Sequence, residues 1–111
     1  MSEAVWVVLC NCPDQDSADR LAMLMVERRL AACASRLPGV RAVYHWQGRI
    51  EHTEECSVLF KTTADRYPAL ESCLKTEHPY EIPEIIAWPI SAGLGSYLDW
   101  VRAETRGDAD A

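Results

Sequence analysis

Apolar residues along this chain first run together and then alternate. Val5-Trp6-Val7-Val8-Leu9 is a continuous apolar run closed by Pro13, which predicts a strand covered on both faces. Asp14 or Asp16 can cap the helix that follows. There Ala18, Leu21, Ala22 and Met25 form one stripe, and Asp16, Arg20 and Glu27 lie opposite. A second strand is expected to meet a break at Pro38-Gly39 and then enter a long hairpin turning at Gln47-Gly48. On its returning arm Cys56, Val58 and Phe60 alternate with Ser57, Leu59 and Lys61, the period of two of a strand, and its far end should project beyond the sheet. Asp65 can cap a second helix with Pro68 in its first turn and Tyr67, Leu70 and Leu74 as its buried stripe. A fourth apolar strand is expected from about Glu84 to Ile90. Gly93-Leu94-Gly95 then leads into a last helix carrying Tyr97, Leu98, Trp100 and Val101.

The order β, α, β, β, α, β, α predicts an α+β fold: a ferredoxin-like βαββαβ sandwich with a long β-hairpin and an extra C-terminal helix. Length changes the picture only by limiting it to one domain, residues 1–111, with a core of about 4–105 and a frayed acidic tail at 106–111. Trp and Tyr side chains on the sheet face that the first two helices leave open need cover, and self-association supplies it for so small a chain.

Charge and cysteine usage narrow the function. Seventeen acidic residues against eleven basic ones give a net charge of −6, a field that repels a phosphate backbone, so nucleic acid is not an expected partner. The apolar stretch at the N-terminus is too short for a signal-peptide core or a membrane span, which points to a cytoplasmic protein without a membrane partner. Five cysteines without regular spacing fit reduced thiols rather than a disulfide framework. No Ser/His/Asp or Cys/His/Asn set and no glycine-rich phosphate loop stands out, so an enzyme is not expected.

The segments LAAC, PGV, VYHWQGRIE, EECSVLFKTT, EHPYEIPEII and YLDWV, in this order and spacing, resemble the CutA divalent-cation tolerance family. The likeness runs from about Val5 to Thr105. It implies a homotrimer related in fold to the nitrogen-regulatory PII proteins, in which the long hairpin reaches onto neighbouring subunits. It also implies a role in tolerance of copper or other divalent metal ions.

By that resemblance the metal ligands fall on Cys10, which closes the first strand, and on Glu77 and His78 before Pro79-Tyr80. Glu77 stands where the bacterial pattern has a first histidine, and a carboxylate in place of an imidazole makes zinc or a harder ion more acceptable beside copper. Cys10 and Cys12 should share a face, since strand side chains alternate. They are open to two readings, as converging thiolates for a soft ion such as Cu(I) or as small apolar side chains in the core. His45 and His52 fall near the hairpin tip, and Cys33, Cys56 and Cys73 carry no expected role. A second candidate site gathers Tyr44, Trp46, Glu55, Lys61, Tyr80 and Glu84, which match recurring family positions. It is read either as interface packing with an ion pair or as an intersubunit pocket of a PII-like signalling module, taking a small anion or metabolite with Lys61 supplying charge.

Overall fold

The computed structural model describes residues 3–106. Its elements are β1 (Val5–Cys12), α1 (Gln15–Glu27), β2 (Cys33–Trp46), β3 (Arg49–Thr63), α2 (Tyr67–Glu77), β4 (Ile85–Pro89) and α3 (Gly95–Glu104). The four strands form one antiparallel sheet in the order β2-β3-β1-β4. This is the expected α+β ferredoxin-like arrangement with its added helix. Of the acidic tail, residues 107–111 lie outside the described part of the chain.

β1 pairs with β3 along one edge and β4 along the other, and its apolar side chains alternate between the two faces of the sheet. Trp6, Val8, Cys10 and Cys12 face α1 and α2. Val8, Cys10 and Cys12 join Val58, Phe60, Ala18, Leu21, Met25, Leu70 and Leu74 in the main core, all with no exposed surface. Trp6 stacks on Tyr67 with ring centres 5.4 Å apart. On the opposite face Val5 meets Ala32 and Val101, so α3 covers one end of the side that α1 and α2 leave bare. The rest of that face presents Leu37, Ile86 and Trp88 to solvent.

Helix termini follow local chemistry. Asp14 caps α1 by accepting a hydrogen bond from the Ser17 N–H at 2.8 Å, one of the first-turn donors without an intrahelical partner. α2 begins differently from the expectation. Asp65 does not cap it, because the N-cap is Arg66, whose N–H is held by the carbonyl and hydroxyl oxygens of Thr63, and Pro68 sits in the first turn.

The hairpin is one continuous structure of 14 and 15 residues per arm. Pro38-Gly39 does not interrupt β2. Gly39, at φ +77°, makes a bulge where the register shifts between Leu37 and Val40, and the ladder then resumes. Gln47 and Gly48 both have positive φ, 50° and 79°, the two-residue turn whose twist matches paired strands. β1 accompanies β3 only from Thr63 to Cys56. Beyond that point Val40–Trp46 and Arg49–Glu55 pair with each other alone, and the molecule reaches 48 Å in its long dimension against 29 and 21 Å in the others.

Candidate functional site

Alternation along the last turn of β1 places two different environments back to back. Cys10 and Cys12 point toward the helices, and Asn11 between them points to the open face.

On the helix side, a sulfur from each of Cys10 and Cys12 and a ring nitrogen of His78 lie within 4.8 Å of one another. All three residues are buried. His78 follows α2, its N–H closing that helix on the Leu74 carbonyl at 2.9 Å. Its ring is held from both ends. Nδ1 accepts the Tyr80 N–H at 3.0 Å, and Nε2 faces the Asn11 carbonyl at 2.8 Å, which requires the proton on Nε2. The thiols are likewise linked. A hydrogen bond from Cys10, opposed by burial, pulls the Cys12 thiol below its ordinary range. Donating that bond, burial, and the negative charge of Cys12 and Glu84 push Cys10 far above it.

Glu77 does not join this cluster. Its carboxylate pairs with Arg20 of α1 at 3.2 Å, and the same guanidinium donates to the Glu77 backbone carbonyl at 2.7 Å. That clamp ties α1 to the end of α2 just before His78. The converging donors are thus two sulfurs and one imidazole nitrogen, a softer set than Cys, Glu and His. Their chemistry fits a thiophilic ion that displaces the thiol protons and takes a ring nitrogen of His78 in place of one of its hydrogen bonds to backbone.

On the open side lies a cavity of about 540 Å³ lined by the hairpin, by Asn11 and by the segment between α2 and β4. Tyr44, Trp46, Glu55, Tyr80 and Glu84 all line it. Lys61 does not. Its ammonium donates to the Ser35 hydroxyl at 2.9 Å and the Leu59 carbonyl at 3.3 Å, further along the sheet. Glu55 is buried, and its Oε2 accepts the Thr53 hydroxyl at 2.9 Å and the Tyr80 hydroxyl at 3.4 Å. Burial, then the charge of Glu55 and the neighbouring Tyr44, push the Tyr80 phenol up to about 12. Asn11 joins the wall to β3 and to the residue before β4, taking a hydrogen bond from the Ser57 hydroxyl and donating one to Glu84 Oε1 at 3.2 Å. Three glutamates, Glu55, Glu81 and Glu84, stand against one arginine, Arg41, so the lining is acidic and disfavours an anion.

The parity of Cys10 and Cys12 was readable from the strand pattern, whereas the Arg20 clamp on Glu77 and the part played by Asn11 depend on contacts between distant segments. Glu81 was missed for the same reason, lying in a loop whose course no periodicity fixes.

The fold is an α+β sandwich with a protruding hairpin and, at the end of β1, a buried thiol and imidazole cluster. The sequence profile of the CutA1 divalent ion tolerance protein family matches residues 6–104, and the chain belongs to that family. It is 43% identical over 100 residues to the divalent-cation tolerance protein CutA of Pectobacterium atrosepticum, covering 90% of this chain and 91% of that one. The crystal structure of CutA from Xylella fastidiosa superposes with a TM-score of 0.90 at 42% identity, over 92% of this chain and 98% of the other. The structure described as the periplasmic divalent cation tolerance protein CutA from Archaeoglobus fulgidus gives 0.89 at 29% identity, over 92% and 99%.

Proposed function

We propose that this protein is a homotrimeric metal-binding protein of one domain that serves divalent-cation tolerance, holding copper or a comparable thiophilic ion such as zinc at Cys10, Cys12 and His78. The observation that carries the reading is the convergence of two sulfurs and an imidazole nitrogen within 4.8 Å, in a family whose description is divalent ion tolerance. Glu77 serves the site by position, fixing the turn that presents His78 through its bonds with Arg20. A buried set of two thiols and an imidazole in a family described by divalent ion tolerance supports binding rather than catalysis.

The trimer reading is supported by apolar surface that the fold leaves uncovered. Leu37, Ile86 and Trp88 remain at 43–49% exposure on the open face, and the hairpin end pairs with no other strand among the described residues. A two-stranded ribbon of this kind is marginal alone and gains from packing on a neighbour. A cytoplasmic location is supported by five free cysteines, which suit a reducing compartment. No helix among the described residues is long and apolar enough to cross a membrane.

The test is an anaerobic titration of the reduced protein with Cu(I), Cu(II) and Zn(II) against a competing chelator, repeated on Cys10→Ser, Cys12→Ser and His78→Ala. Stoichiometric binding weakened by more than about 100-fold in each variant is expected, a larger loss than outer-shell changes cause. Equal, weak binding by wild type and variants contradicts the proposal.

A further inference from the structure

We infer that the cavity on the open face is a binding site for a small organic ammonium ion. This goes beyond the metal reading and depends on different residues. The carrying observation is Glu55, a carboxylate at 6% exposure that lines the cavity. Both of its hydrogen-bond donors reach Oε2, Oε1 receives none among the described residues, and no arginine, lysine or histidine there forms an ion pair with it. Buried carboxylates are ordinarily paired with a cation, so Glu55 offers one oxygen and an unmatched charge to whatever fills the space.

The rest of the lining selects which cation. Glu81 and Glu84 add two more carboxylates, and Tyr44, Trp46 and Tyr80 supply aromatic rings. Aromatic faces attract an ammonium through the ring quadrupole and at the same time cover its alkyl groups. A bare metal ion needs several oxygens converging on one point. The metal-competent cluster among the described residues is Cys10, Cys12 and His78, and the cavity's glutamates form none. A volume of about 540 Å³ suits a small organic molecule rather than a single ion.

The experiment is calorimetric titration of the assembled full-length protein with butylammonium chloride, with sodium butyrate and magnesium chloride at matched ionic strength as probes of chain and charge. Saturable butylammonium binding is expected, with no butyrate binding and no displacement by magnesium. Glu55→Gln should weaken it by about 10-fold through the lost charge-assisted contact. Trp46→Leu, with its mass by sedimentation unchanged, should weaken it by roughly 5-fold through the lost ring face. The inference is overturned if butylammonium does not saturate, if butyrate binds as well, if magnesium displaces the ammonium, or if both variants bind like wild type. Filling of the cavity by a neighbouring copy would read out as the first of these.

Discussion

The two sides of β1 at Asn11 are one side chain apart and chemically opposed. Toward the helices, Cys10 and Cys12 are sealed with Val58, Phe60 and Leu74, and the polar group among them, His78, has both ring nitrogens engaged by backbone. Toward the hairpin, Glu55, Tyr44 and Tyr80 surround open volume, and the carboxylate has an oxygen to spare. The first environment is held by close packing and changes only by exchanging bonds it already has. The second is held by the hairpin's backbone ladder, so its side chains can be altered with little effect on the core. A strand with alternating side chains can therefore place a sealed cluster of thiols and imidazole and an acidic cavity on its two faces, coupled through the charge of Glu84 acting on Cys10 and through Asn11.

The largest expected effect lies on the open side. Trp88→Asp places a charge in the apolar patch beside Ile86 and should convert the proposed trimer to monomers. Sedimentation equilibrium reads this directly, and an unchanged mass would show that the open face is not the interface. Next comes the sealed side. Phe60→Ala should cost about 3–5 kcal/mol in urea unfolding. Val43→Ala, at 64% exposure on the hairpin, should cost less than Phe60→Ala, since it opens no cavity in the chain's own core. Similar costs at both positions would break the contrast between the two regions. His78→Ala should lose about 1–3 kcal/mol, because the Tyr80 N–H and the Asn11 carbonyl both lose their partner. A loss near zero would mean that water replaces the imidazole freely.

Two smaller effects depend on pH. The Tyr80 phenol is raised from about 10 to about 12, so the folded state favours its protonated form. That contribution is complete below pH 10 and disappears as pH rises through about 12. Tyr80→Phe should accordingly flatten the alkaline loss of stability in this window, and an unchanged slope would contradict the assignment. At the acid end, hydrogen bonds from Ser17 hold the Asp14 carboxyl below 3.8. Its stabilisation of α1 is present above that value and is lost as pH falls through the lower folded value. Asp14→Ala should lower the urea midpoint at neutral pH, with the gap to wild type closing in acid.

How far these features could be read from the residues depends on how local they are. The hydrophobic run of β1, the stripes of α1 and α2 and the Gln47-Gly48 turn are written in neighbouring positions, and the fold followed from them. Pro38-Gly39 misled because a bulge and a chain break use the same residues, and only the ladder from Val40 onward tells them apart. Asp65 misled because Thr63, reaching from the end of β3, supplies the oxygens that hold the start of α2. At the sites, strand parity brought Cys10 and Cys12 together, and the hairpin pairing gave Tyr44 and Trp46 a common face with Glu55. The separation of Lys61 from that group was not legible, since its shared parity leaves it three ladder steps further along β3. The pairing of Glu77 with Arg20 joins residues 57 positions apart, a distance at which no local pattern reports.

If Cys10 and Cys12 supply the sulfur ligands, X-ray absorption at the copper edge of the reduced, Cu(I)-loaded protein should report two sulfur scatterers and one nitrogen around the metal, and one sulfur fewer in Cys12→Ser. A shell of oxygen and nitrogen alone, unchanged in that variant, would contradict that assignment.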